Sequence, residues 1–331
     1  MSSLPAPDFG AVRPSRAPDA VHRATPTGDH APARRHRYYL SGTIPWLLIH
    51  LLVFGAVWSG VTWQAVVVCV AMYFFRIWSV TAVYHRYFSH RTYSTSRWFQ
   101  FVLAWCATMT TQRGVLWWAA HHRAHHLYSD TERDLHSPKQ DGFLHSHVGW
   151  IFGDTSDTDW SRIKDFAKYP ELVWLNKYWL LPPTLTGIAT FLLFGWPGFF
   201  IGFCLSQVIT WHSTYVINSL CHVWGSRRFD TKDTSRNNLW LALLTWGEGW
   251  HNNHHHYMNS ARQGFYWWEI DLTYYVLRAL GWLGLIWDIK EPPARVLEEG
   301  RARDAKKRAR TKSPALSARP SVVHAARTTQ A

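Results

Sequence analysis

Charged side chains are missing from two long stretches of this 331-residue chain: no Asp, Glu, Lys or Arg occurs from Gly42 to Phe75, or from Tyr178 to Ser226. Length alone permits two soluble domains. Uncharged apolar runs of 18 or more residues, however, read as membrane spans, because about 20 helical residues cross the hydrocarbon core. Each block greatly exceeds one span and carries turn material near its middle: Ser59-Gly60 in the first, Gly195-Trp196-Pro197-Gly198 in the second. Two helical hairpins are expected, with spans at 44–59, 62–82, 179–194 and 197–220. Four core helices of a large soluble protein are the alternative. The first span follows a long polar leader, too deep in the chain for a cleaved signal peptide.

Cysteine is scarce as well. Cys69, Cys106, Cys204 and Cys221 form no C-x-x-C pair, and two lie inside expected spans. That argues against a disulfide framework and a thiolate-bound zinc site. There is no visible repeat, no G-x-G-x-x-G, no cysteine set for an iron–sulfur cluster and no fused haem-binding domain. The H-E-x-x-H of zinc proteases is also absent.

The net charge of +13 is concentrated at the ends. Residues 1–40 carry six Arg against three Asp, and residues 289–331 carry eleven Lys or Arg against four Asp or Glu. Basic tails flanking spans whose connecting turns are uncharged place both termini, and the 83–178 segment, in the cytoplasm. Nucleic-acid binding is the competing reading of "RARDAKKRARTK", but anionic headgroups attract the same charges, and no nucleic-acid partner is expected. The leader 1–40 and the tail 291–331 are expected to be disordered, flanking a membrane domain at 41–290.

Histidine is abundant: of 20, fifteen fall between His85 and His256. On a helix turning about 100° per residue, His122, His125 and His126 share one face, and His251, His254 and His255 repeat that spacing. His121 and His256 project away. In "HRYFSH", His85 and His90 are five apart. Either the helix ends there, which its position favours, or the rings approach a metal from different directions. Asn218 and His222 in "NSLCH" are i, i+4 neighbours at the exit of the fourth span. All four sets lie at the cytoplasmic ends of spans and can meet at one depth. Imidazole-rich, carboxylate-poor surroundings suit iron, copper or zinc. Nine histidines exceed the capacity of one metal, so two metals are expected.

Together "HRYFSH", "HRAHH", "GEGWHNNHH", "NSLCH" and "HSHVGW" over residues 40–290 resemble the membrane fatty acyl desaturases, especially the delta-9, stearoyl-CoA desaturase-like branch. The resemblance implies an all-α membrane protein: four transmembrane helices in two hairpins under a cytosolic helical cap holding a histidine-rich di-iron site. Its ligands would be His85, His90, His122, His125, His126, His222, His251, His254 and His255, with Asn218 approaching one iron through water. Asp130, Asp134 and Glu248 either accept the distal N–H groups of ligating rings or are ordinary exposed carboxylates or helix caps. Gln112 and Thr214 match positions that hold a bent acyl chain. Tyr215 stands where animal acyl-CoA members commonly have Trp.

Two iron ions and dioxygen as co-substrate follow from the resemblance, as does a delta-9 cis double bond in a saturated acyl chain. A separate electron-donor protein with its reductase would supply electrons. Ala120-His121 before the second box, and "IFGDTSD" after "HVGW", depart from the acyl-CoA pattern. Acyl-CoA stays the expected substrate, with acyl-lipid and acyl carrier protein substrates left open as alternatives. A membrane di-iron hydroxylase or oxygenase acting on a lipid is the alternative function, and a non-catalytic metal transporter the second. Against transport, no charged path crosses the expected spans.

Overall fold

The computed structural model describes residues 38–312 except 154 and 156, so the leader to residue 37 and the tail from 313 lie outside the described residues. Among the described residues, three helical stretches are long and apolar enough to cross a membrane: Gly42–Ser59, Trp63–Ser89 and Leu181–Val223. The first is two helices, Leu40–Leu52 and Gly55–Ser59, ending at Gly60 with φ 75°. The second starts at Thr62, whose side chain accepts the Ala65 N–H, satisfying an amide that helix geometry leaves orphaned.

The break expected between 179–194 and 197–220 is present: the apolar stretch is 43 residues long, far more than one bilayer crossing needs, and it is two helices joined at a kink. It reverses at Gly195, whose φ of 63° and ψ of −160° are non-helical. The two arms lie against each other: Gly187 faces the Phe199 and Phe203 rings, and Gly202 faces Thr190. Gly202 also lets the second stretch approach, since a Cβ there would lie 2.7 Å from Val68 Cγ1. Trp58 and Trp196 meet edge to face at 5.9 Å, which puts both turns at one end of the bundle. At mid-length Arg76 is fully buried and donates to the Phe203 carbonyl (2.9 Å) and Ser206 Oγ (2.6 Å).

The second stretch does not end near residue 82. It continues as an eleven-residue π-helix, Ser79–Ser89, every residue of which is buried. Around it packs a helical cap with a core of Val80, Tyr84, Phe88, Leu103, Leu116, Ile163, Phe166, Leu172, Leu175 and Leu277. Arg123, inside "HHRAHH" but off its ligand face, donates to the carbonyls of Ser89 (2.9 Å) and Phe88 (2.7 Å) and pairs with Asp165. It thereby satisfies acceptors that a helix C-terminus leaves free. A two-residue ladder pairs Ser94–Thr95 antiparallel with Ile286–Trp287.

The domain boundary expected at residue 290 needs correction, because Ala294–Lys312 is a helix. Val296 is buried with Phe229, Phe265 and Tyr266. Asp304 pairs with Arg228, and Arg303 with Asp230. Charge dominates the segment's composition, but one short apolar patch and a few ion pairs suffice to dock it.

Candidate metal centre

The structure gathers the nine expected histidines into two sets. Ring nitrogens of His85, His90, His122, His126 and His254 lie within 4.8 Å of one another, as do those of His125, His222, His251 and His255. Both H-x-x-H-H motifs are divided between them. The Val115–Tyr128 helix sends His122 and His126, one turn apart, to the first set and His125 to the second. The His251–His256 helix sends His254 to the first, and His251 and His255 to the second.

His85 and His90 reach the same set because the helix does not end between them. Its π-form carries an i→i+5 hydrogen bond from the His90 N–H to the His85 carbonyl (3.2 Å). Five-residue spacing thus becomes same-side spacing, and a π segment of this kind often marks a functional site. His121 and His256 stay outside both sets. His121 Nδ1 donates to the Trp117 carbonyl (2.9 Å). His256 stacks flat on Phe229 at 3.9 Å and reaches Glu299.

Within the first set, Nε2 atoms face one another: His85–His254 at 3.0 Å, His90–His122 at 2.8 Å, His122–His126 at 3.0 Å and His126–His254 at 2.9 Å. In the second, His222 and His251 are 3.1 Å apart. Four distal nitrogens point the other way, toward carboxylates. His85 Nδ1 is 2.5 Å from Glu248, His125 Nδ1 3.0 Å from Asp134, and His222 Nδ1 3.4 Å from Asp130. His255 Nδ1 is 2.6 Å from Asp233. The exposed-carboxylate alternative for Asp130, Asp134 and Glu248 is ruled out, since all three are at most 5% exposed.

A ring that donates from Nδ1 keeps a lone pair on Nε2. Lone pairs opposed at about 3 Å repel, and a cation between them removes the conflict. The buried Nε2 of His255 has no hydrogen-bond partner among the described residues. Ligands at about 2.1 Å from a metal lie ~3.0 Å apart at right angles and ~3.4 Å apart at tetrahedral angles. The separations match the right-angled case, and five imidazoles exceed a tetrahedral zinc shell. The donor set fits a six-coordinate transition metal such as iron.

The electrostatics agree. Burial, and then the neighbouring imidazoles, hold His90, His122, His126, His251 and His254 well below the ordinary imidazole range, hence neutral and able to ligate. Burial also brings His255 down to about 4 against the pull of Asp233. For Asp134 burial acts upward, but His125 and His136 override it and keep the carboxyl well below its usual range.

Two cavities adjoin the sets. A small one of about 30 Å³ is lined by His85, His122, His125, His251, Asn218 and Glu248. That is one water's share of liquid volume. A large one of about 700 Å³ shares His122, His125 and Asn218, then continues past Gln112, Thr214 and Tyr215 toward Gly187, Phe199 and Phe203. Gln112 Nε2 donates to Thr214 Oγ1 (3.0 Å), and Trp118 Nε1 donates to Gln112 Oε1 (3.3 Å). The three expected substrate residues therefore share one wall.

Several partners escaped the sequence reading. Asp233 and Thr234 lie in the loop after "NSLCH", with no regular spacing to mark them; Thr234 donates its N–H and hydroxyl to Asp130. Arg86, inside "HRYFSH", is fully buried between Glu248 (3.0 Å) and Asp271 (2.9 Å). His147 of "HSHVGW" joins no metal set. It heads a chain to His212 (3.0 Å), His50 (3.1 Å) and the Trp46 carbonyl (2.8 Å), which ties the first span to the Ser206–Asn218 helix.

The sequence profile of the fatty acid desaturase family matches residues 61–285. The chain is 37% identical to an sn-1 stearoyl-lipid 9-desaturase of Anabaena variabilis, over 75% of this chain and 92% of that protein. It is 38% identical to an sn-2 palmitoyl-lipid 9-desaturase of Nostoc sp. (strain 36), over 63% of this chain and 75% of that one. It is 37% identical to the chloroplastic palmitoyl-monogalactosyldiacylglycerol delta-7 desaturase of Arabidopsis thaliana, covering 70% of this chain but only 63% of that protein.

Proposed function

Because the chain belongs to the fatty acid desaturase family, we propose that it is an oxygen-dependent desaturase placing a cis double bond, at the ninth carbon, in an acyl chain esterified to a membrane lipid. One observation carries the reading: two sets of inward-facing imidazoles open onto the wall of a long, largely apolar cavity. The sequence reading leaned toward an acyl-CoA substrate. The relatives' lipid names, and the altered residues Ala120 and His121, favour a lipid ester instead.

Desaturation consumes one dioxygen, two electrons and two protons per alkene formed, and releases two waters. When bound by the nine histidines, two irons would supply the oxidising power that an unactivated methylene requires. The chain's own residues position and shield. Asp130, Asp134, Asp233 and Glu248 fix the ring tautomers through Nδ1. Asn218 borders both cavities and is placed to hold a water at the second set. The Gln112–Thr214 bond narrows the wall beside His122, where a chain must bend to present one carbon pair. Trp117, Trp118 and Tyr215 keep water from the reacting carbons.

In this reading residues 41–290 form the catalytic domain, extended by the docked helix to residue 312. The 43-residue stretch crosses the bilayer twice, for four crossings in all. Both termini and the metal centre face the cytoplasm, supported by the basic flanks. Electrons come from a separate donor protein and its reductase. Expression in a desaturase-deficient host tests the proposal: fatty acids of the phospholipid and acyl-CoA fractions are derivatised and analysed by mass spectrometry. A new monoene in the lipid fraction is expected. A hydroxylated chain without an alkene would assign the sister oxygenase reaction instead.

A further inference from the structure

The large cavity opens at a definite depth. Gly42 begins the first span and Leu181 the third, and the cavity is lined by Gly42 and Leu180. Its wall also includes Leu48, Leu180 and Ile188, each about half exposed on the apolar outer surface (53%, 55% and 50%). The cavity therefore faces lipid sideways, between the first span and the Leu181–Pro197 helix, at the level where headgroups meet hydrocarbon.

Arg113 lines this cavity. Its guanidinium lies 5.5 Å from the ring centroids of both Trp117 and Trp179. Burial lowers its pKa, and no carboxylate among the described residues offsets that. Trp117 is itself fixed, with its Nε1 donating to the Thr155 carbonyl and its ring stacked on His121 at 4.1 Å. The backbone is strained too. Arg113 sits at φ 69°, and Tyr84 holds its carbonyl with a 2.5 Å hydrogen bond. A non-glycine residue in that region is strained and persists where the surroundings impose it, often at a ligand clamp. A half-buried cation with no carboxylate partner among the described residues, clasped by two indoles at interface depth, is built to meet an anion from outside the chain.

We propose that Arg113, held between Trp117 and Trp179, anchors the phosphate ester of a membrane glycerophospholipid whose acyl chain enters the cavity sideways from the bilayer. The chemistry recognised is a phosphate ester joined to a long acyl chain, which acyl-CoA also offers from solution. The lipid-facing mouth favours the bilayer source. The inference rests on the desaturase reading for the fate of the chain, and not for its binding.

The test uses the full-length iron-loaded protein in uncharged detergent, with tryptophan fluorescence reporting binding. Three probes are titrated: dipalmitoyl phosphatidylglycerol, dipalmitoylglycerol (the same chains without phosphate) and palmitoyl-CoA. Arg113→Gln should weaken phosphatidylglycerol binding roughly tenfold to a hundredfold, the range for a hydrogen bond to a charged group. Dipalmitoylglycerol binding and iron content should not change. Arg113→Lys should retain most of the affinity. Arg113→Gly, which relieves the positive-φ strain, should lose affinity as Arg113→Gln does and guards against misfolding. Unchanged phosphatidylglycerol binding in both Arg113→Gln and Arg113→Gly overturns the proposal. So does a loss confined to palmitoyl-CoA, which would assign the anchor to the soluble carrier. A protein that binds phosphatidylglycerol through Arg113 yet makes no alkene would overturn the assigned reaction and support the anchor.

Discussion

The two histidine sets differ in what stands behind them. In the first, one ring of five, His85, leans on a carboxylate. In the second, three of four do: His125 on Asp134, His222 on Asp130 and His255 on Asp233. A carboxylate on Nδ1 makes imidazole a stronger donor, so the set with fewer rings has more of them backed by a carboxylate. The second set also depends on distant chain. Asp233 and Thr234 ride on a loop whose base is clamped by Arg228–Asp304 and Arg303–Asp230 pairs from the C-terminal helix. The first set rests instead on the π-helix and the buried Arg86. Two metals in one pocket would thus be held by different means: one by ligand number, the other by ligand charge.

The largest test removes a ring. His254→Ala in the first set and His125→Ala in the second should each lower iron content and abolish alkene formation, read by metal analysis and fatty-acid profiling. His121→Ala and His256→Ala should retain iron. Equal iron loss in His121→Ala and His125→Ala would falsify the division into ligand and non-ligand faces.

Next comes the support of the first set. Arg86→Leu leaves Glu248 and Asp271 buried without their cation, which costs about 3–5 kcal/mol. A clear drop in the thermal unfolding midpoint is expected, and an unchanged midpoint would show that the ion pairs carry little.

A smaller change separates the sets directly. Asp134→Asn or Asp233→Asn should weaken metal binding by about 10–100-fold, so that chelator competition strips roughly half the iron early. Glu248→Gln should release iron from the other half. Identical titration curves for the three variants would erase the distinction between the sets.

Truncation is the mildest test. Ending the chain at residue 312 should change nothing measurable. Ending it at residue 293 should make the second set's iron more labile to chelator while the chain stays membrane-bound. Full retention of iron in the shorter chain would disconnect the helix from the metal centre.

Much of this was legible because helices repeat. The i, i+3, i+4 spacing of His122, His125 and His126 marks a shared face without any knowledge of the fold, and it separates His121 from the rest. The allocation of that face was hidden: two sets lie side by side, and neighbouring rings on one helix go to different ones. His85 and His90 misled for a related reason, since an α-helical wheel does not describe a π-helix. Asp233 and Arg86 were invisible because long-range packing, not local spacing, brings them to the site. The Ala294–Lys312 helix was masked by its own charge, with few apolar residues to announce a docked face. The reversal at Gly195 was announced by glycine and proline, and it separates two helices that follow one another without a loop.

The π-helix from Ser79 to Ser89 also works as a phase adjuster between two registers. The residues before it must match the helical arms across the bilayer, where Val68 meets Gly202 and Arg76 meets Phe203. His85 within it and His90 just after it must aim their imidazoles at a point fixed by the cap. An ordinary α-helix would lock those two requirements together at about 100° per residue. The wider turn inserts an offset, so each half keeps its own angular setting. Deleting one residue from this segment would restore better backbone hydrogen bonding and still ruin the centre, because it would swing His85 and His90 out of step with the rings they face.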